Sequence, residues 1–296
     1  MSKDRDKIIF EIERVLASLN VKTDYKYQDV RRLRILEKKI KKFVKENTKI
    51  DKAILRIYRK FSPGIYFITV YAATKDFYKA LAAYKLIELW GGYIQYEDLF
   101  YERGDTEFRK IAYEFKKQAL KQLDNRIKDE LVGADAVLEK YWRTELHYKK
   151  LMHLGHKFSD KEIKDFILLK AKSIICYPII VKQYCSMPEE LTNVINFNQA
   201  IYNFYDDYWD LKEDLQDEAP NTFILVLLEK TGIKKMQKRL RAQLITLIKK
   251  ENVWRRLETI ANRFRIKAER IRLSKEYHFW HFLPRYNYEF FEVYFE

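Results

Sequence analysis

Apolar and polar positions along this chain recur at helical spacing almost from end to end. Lys7 to Leu19 reads as a short amphipathic helix. Tyr27 to Glu46 is a basic helix whose apolar stripe is Leu33, Ile35, Leu36, Ile40, Phe43 and Val44. Its lysines then face solvent or an anionic membrane surface. Ser62-Pro63 is a helix-start signal. The apolar run behind it predicts one helix to about Glu102, with an interruption expected at Gly91-Gly92. Residues 106–131 and 134–151 read as two further helices. Ser159 with Glu162 forms a capping box opening a helix to about Cys185. Ser186 to Glu189 repeats that signature before the next helix, and Asn221 is positioned to cap another. Residues 234–273 are basic and helical with a break near Asn252, and the aromatic tail should break at Pro284.

Composition agrees with an all-α protein. Seven Gly and five Pro in 296 residues are few for a protein built on tight β turns. The 47% hydrophobic content supports a sizeable core in one domain, with residues 1–60 as peripheral basic helices and 61–296 as the main bundle. No repeat and no low-complexity linker interrupts it. Two cysteines, Cys176 and Cys185, make no disulfide framework and suit buried thiols in a cytoplasmic protein. No signal-peptide pattern and no eighteen-residue apolar run is present.

Net charge changes the picture. At +15 the chain calls for an anionic partner: a phosphorylated small molecule, an anionic membrane contacted peripherally, or nucleic acid. Specific nucleic-acid binding is disfavoured, because neither an RNP-like string nor zinc-finger spacing occurs. His153-x-x-His156 and His278-x-x-His281 lack the further ligands of a zinc site. P-loop, HExxH and dinucleotide fingerprints are missing.

Against this basic background lies an acidic island, Asn198 to Asn221. On a helix Asp206, Asp210, Glu213 and Asp217 share a sector roughly 60° wide, with Asp207 and Asp214 beside it. Like charges at i,i+4 cost about 0.2–0.5 kcal/mol per pair, a penalty that a divalent cation removes. Oxygen-only ligands suit Mg²⁺, which commonly takes one or two carboxylates plus substrate phosphates. The plain alternative is a solvated acidic face. Interleaved Tyr202, Phe204, Tyr205, Tyr208 and Trp209 argue for partial burial instead. A second cluster, Gly91 to Arg109, carries Asp98 and Glu102 at i,i+4; Gln95 and Asp105 share that face if the helix continues. An even number of intervening helices would let the two clusters face each other across a bundle.

Two acidic clusters roughly a hundred residues apart in an all-helical chain resemble the class I isoprenoid synthases, which include trans-prenyltransferases and class I terpene cyclases. DDYWD at 206–210 resembles the second DDxxD of the prenyltransferases. Asp206, Asp210 and Asp214 also fall on the three ligand positions of the cyclase NDxxSxxxE motif. The longer string through Glu213-Asp214 to Asn221 and Phe223 looks most similar to the large-terpene synthases of the tetraprenyl-β-curcumene type. Their first motif falls on Gln95, Asp98, Glu102 and Arg103, and their D-L-Q-x-x-K segment on Glu145 to Lys150. Arg285-Tyr286 resembles the cyclases' late Arg-Tyr pair.

The resemblance spans about residues 90–290 and implies a bundle around a central cavity. It implies Asp98, Asp206 and Asp210 as catalytic residues. The Mg²⁺ ligands would be Asp98, Glu102, Asp206, Asp207, Asp210, Glu213 and Asp214. Arg143, Lys149, Lys150, Arg285 and Tyr286 would contact diphosphate. The implied activity is that of a terpene synthase, a lyase releasing diphosphate from a prenyl or polyprenyl diphosphate. The alternatives are a prenyltransferase, or a helical nucleic-acid-binding or pseudoenzyme protein. Two departures stand out. Gln95 and Glu102 replace the usual Asp residues, and no Arg lies between Arg143 and Arg239 to act as an arginine sensor. Arg143, Lys170, Lys172 and Lys182 are the candidate replacements.

Overall fold

The computed structural model describes residues 2–20, 27–47 and 63–295. The expected start at Ser62 and part of the 1–60 basic segment lie outside the described residues. Every regular element among the described residues is helical. In chain order they are α1 (Ser2–Asn20), α2 (Tyr27–Asn47), α3 (Gly64–Thr74), α4 (Phe77–Arg103), α5 (Thr106–Leu120) and α6 (Asn125–His153). There follow α7 (Asp160–Lys172), α8 (Cys176–Val181), α9 (Glu189–Gln216), α10 (Thr222–Leu227) and α11 (Ile233–Gln237). The last are α12 (Arg241–Lys250), α13 (Val253–Arg270), a 3₁₀ turn (Lys275–His281) and α14 (Phe282–Phe295). No helix is long and apolar enough to cross a membrane among the described residues.

Several boundaries differ from those expected, each for a local reason. The run after Pro63 divides at Lys75, which is left-handed, and Asp76, whose carboxylate accepts from the Tyr78 and Lys79 amides. Gly91-Gly92 does not interrupt α4. A Cβ on Gly92 would lie 3.0 Å from the Phe115 ring, so glycine there lets α5 approach closely. Asp105 caps α5 through the Glu107 amide, after α4 has ended at Gly104, and so cannot share a face with Asp98. The break expected near 132 falls instead at 121–124, and Gly133 lies inside α6. The capping box at Ser159–Glu162 forms as expected. The helix it opens stops at Lys172, because Pro178 lacks the amide a continuous helix needs and fits only the first turn of α8. Pro284 likewise occupies the first turn of α14 and begins a helix rather than breaking one. Asn221 caps α10, and the break at Asn252 is present as a left-handed residue.

The chain forms two compact units. Unit 1 comprises residues 1–133, 176–191 and 273–282. In it α4 packs on α3, α5 and α8, while α1 and α2 pair and α2 meets α3. Its core includes Phe67, Tyr84, Trp90 and Trp280, and the Trp280 indole donates to Thr69 Oγ1 at 3.0 Å. Unit 2 comprises residues 134–175, 192–272 and 283–296. There α10 packs on α7 and α13, and α12 on α13. Aromatic rings dominate: Tyr208 lies within ring contact of Phe223, Phe290 and Phe295, and Phe295 stacks on Trp254.

Candidate functional site

The acidic island lies on α9, within unit 2. Ala200, Phe204, Leu211 and Leu215 face the core and set the helix rotation. Asp207 shares that buried face, at 1% exposure. Asp206, Asp210 and Asp214 are half-buried along its edge at i, i+4 and i+8, whereas Glu213 and Asp217 are exposed. The inward row is therefore 206–210–214, with Glu213 turned to solvent.

Asp207, one of the expected metal ligands, has both oxygens engaged by the protein itself. Lys170 Nζ donates to Oδ1 at 2.8 Å. The Thr222 amide and hydroxyl donate to Oδ2 at 2.9 and 2.7 Å. A carboxylate has about four lone-pair sites, so three are filled. Asp207 is the internal counter-ion of Lys170 and an anchor for the start of α10. Asn221 completes the assembly. Its Oδ1 accepts from the Phe223 and Ile224 amides, and its Nδ2 donates to the Asp207 carbonyl at 2.6 Å and to Asp214 Oδ2 at 2.7 Å.

Lys170 comes from the last turn of α7, and its side chain is 22% exposed. Burial alone would lower its pKa. The Asp207, Asp206 and Asp214 carboxylates outweigh that and hold the ammonium charged, above its usual range. Of the four candidate cations this is the one brought to the acidic row. Arg143 pairs with Glu139, Lys182 pairs with Glu130 at 2.6 Å, and Lys172 is exposed. Burial pushes Asp214 up to about 7; Asp207 and Asp210 add to the rise, while Lys170 and Asn221 oppose it.

The other expected residues are distributed as follows. Lys149 Nζ donates to the Asp217 carbonyl at 2.8 Å, and His153 pairs with Glu218 at 2.8 Å. The end of α6 is thereby tied to the end of α9. Lys150 and Arg285 are exposed and Tyr286 is half-buried. Asp98 on α4 is half-buried in unit 1, with Gln95 and Glu102 exposed. The Asn221–Thr222 contribution was missed as part of the site. Its signals in the sequence are Asn221 as a cap and as the end of the string that resembles the large-terpene synthases.

Among the described residues no three His, Cys, Asp or Glu side chains converge into a ready-made metal cage. The donor set still fits Mg²⁺: hard oxygens in a half-buried row, one of them pushed toward neutrality by burial, and a cation that prefers few carboxylates plus phosphate oxygens.

No protein-family model and no curated relative matches the chain. Among solved structures it is similar to a polyprenyl synthase from Roseobacter denitrificans, with a TM-score of 0.58 and 11% identity over 98% of this chain and 99% of that one. The likeness shows the fold: the all-α isoprenoid-synthase type. The narrower resemblance to tetraprenyl-β-curcumene synthases remains a reading of the string from Asp206 to Phe223.

Proposed function

We propose that this chain is a Mg²⁺-dependent enzyme of prenyl or polyprenyl diphosphates, which ionises its substrate with release of diphosphate and then cyclises it or eliminates a proton. The observation that carries this reading is the half-buried row Asp206–Asp210–Asp214 with Lys170 held against it by Asp207. Asp206, Asp210 and Asp214 are the residues of unit 2 that would hold Mg²⁺; Asp98 and Glu102 of unit 1 are proposed as Mg²⁺ ligands in their own right. When bound, the metal supplies positive charge at the oxygens of the leaving diphosphate.

The chain's own residues do the rest. Lys170 contributes a cation that is largely buried and already oriented by Asp207, so little reorganisation is needed as negative charge develops. Asp207 and Asn221 hold Lys170 and Asp214 in place. Exposed Lys150, Arg143 and Arg285, with Tyr286, are proposed diphosphate contacts. Lys149 would have to leave the Asp217 carbonyl to join them.

A second reading, chain elongation, is favoured by the likeness to a polyprenyl synthase. One experiment addresses both. The protein is incubated with Mg²⁺ and prenyl diphosphates from geranyl to heptaprenyl, with and without isopentenyl diphosphate. Diphosphate release and products are followed. Release without isopentenyl diphosphate, giving hydrocarbon and lost in Asp210→Asn and Lys170→Met, is the expected outcome. Longer prenyl diphosphates formed only with isopentenyl diphosphate would establish elongation. No release under either condition would sink the enzyme reading.

A further inference from the structure

The positive charge is concentrated in one place. From Lys230 to Arg272 there are fifteen Lys and Arg against three Glu, in a chain whose whole net charge is +15. This segment lies in unit 2 and folds as α11, α12 and α13. Few of its cations are engaged. Arg256 pairs with Asp160 and Glu229, Arg265 pairs with Glu269, and Arg241 donates to the Tyr208 carbonyl. Lys234, Lys235, Lys238, Lys249, Arg263 and Arg270 are exposed and pair with no carboxylate among the described residues.

An apolar foothold lies within the same segment. Leu240 opens α12 between Arg239 and Arg241 and is 69% exposed. Beside it the Arg241 guanidinium covers Trp209 at 5.1 Å, and Trp209, 42% exposed, meets Tyr294 edge to face at 5.7 Å. The loop that presents Leu240 is fixed, because Lys212 Nζ donates to the carbonyls of Gln237 and Arg239. The basic helix α2 is different. Its Arg34 pairs with Glu37, Lys39 with Glu11 and Lys42 with Glu46.

We propose that the α11–α13 face docks the protein on an anionic phospholipid surface, with Leu240 and Trp209 as the apolar anchors. Clustered lysines and arginines are drawn to an anionic leaflet, and tryptophan and tyrosine favour the interface between headgroup and acyl chain. The exposed leucine decides between bilayer and nucleic acid: its side chain gains nothing from a phosphate backbone, whereas burying it at a lipid interface removes apolar area from water. The inference is independent of the enzyme reading.

Co-sedimentation with vesicles tests it. We expect binding to phosphatidylcholine containing about 30% phosphatidylserine, weakening as salt rises, and no binding to phosphatidylcholine alone. The triple variant K234E/K235E/K238E should lose at least about tenfold in vesicle affinity. L240S should lose several-fold while its weak, salt-sensitive retention on immobilised duplex DNA stays unchanged. A charge reversal at Lys38 and Lys45 of α2 should leave vesicle binding as it is. Circular dichroism checks that each variant is folded. The proposal is overturned if anionic vesicles do not bind, if L240S binds them like wild type, if the α2 variant rather than the α11–α12 variant loses binding, or if duplex DNA binds at physiological salt and vesicles do not.

Discussion

The two acidic clusters share the same spacing and have different surroundings. On α9 the carboxylates are sunk beside Lys170, Asn221 and Thr222, and one of them is fully internal. On α4 only Asp98 is half-buried; Gln95 and Glu102 stand in solvent near the helix end at Gly104. Carboxylates at i,i+4 therefore say little by themselves. What marks the α9 cluster is the set of residues that other segments bring to it: Lys170 from α7 and Asn221-Thr222 from the start of α10.

The clusters should therefore respond unequally to the same chemical change. The largest effect is expected at Asp207. Asp207→Asn leaves the Lys170 ammonium largely buried without its counter-ion, which should destabilise the fold by about 3 kcal/mol in a denaturant titration. Adding Lys170→Met should recover part of that loss. A change below about 0.5 kcal/mol would mean the pair is no anchor.

The next effect concerns pH. Asp214 has its ordinary pKa near 3.8 when unfolded and about 7 when folded. Between those values the folded state binds more protons, so this group's contribution is full below the lower value and declines as pH rises toward 7. Asp214→Asn should flatten the fall in melting temperature over that window. Mg²⁺ with diphosphate should flatten it in the wild type, since a ligand of the folded state stabilises by mass action. An unchanged slope in the variant would place the titration elsewhere.

The smallest effect on the fold is expected on α4. Asp98→Asn, at a half-buried position, should shift stability by about 1 kcal/mol or less. It should nonetheless abolish prenyl-diphosphate turnover if that carboxylate is a metal ligand. Wild-type turnover in folded Asp98→Asn would leave α9 as the whole metal site.

Much of the fold was legible because helices write themselves locally. Apolar periodicity, the Ser159–Glu162 capping box, the Asn221 cap and the Asn252 break all depend on neighbours within a few residues. The misreadings had distant or subtle causes. Nothing in Gly91-Gly92 announces that Phe115 will fill the space a Cβ would occupy. Thr74-Lys75-Asp76 is a capping signal hidden inside an apolar run. Pro178 and Pro284 were read as interruptions or passed over, although proline suits a first turn as well as it ends a helix. For the site, spacing groups Glu213 and Asp217 with Asp206 and Asp210, whereas the half-buried row is Asp206, Asp210 and Asp214, and it does not choose among four cations. That choice depends on the last turn of α7 reaching Asp207, across 37 positions of sequence.

The adjacent aspartates of the DDYWD string thus divide their labour. Asp207 answers to folding and Asp206 to the open row, although the two are neighbours in the chain. Selection for a stable protein would by itself retain Asp207 and Asn221, whether or not any reaction took place. Drift after loss of catalysis would erase Asp206 and Asp210 first. On the proposed reading, a descendant that kept only the inner aspartate would still carry half of the signature while having lost its chemistry.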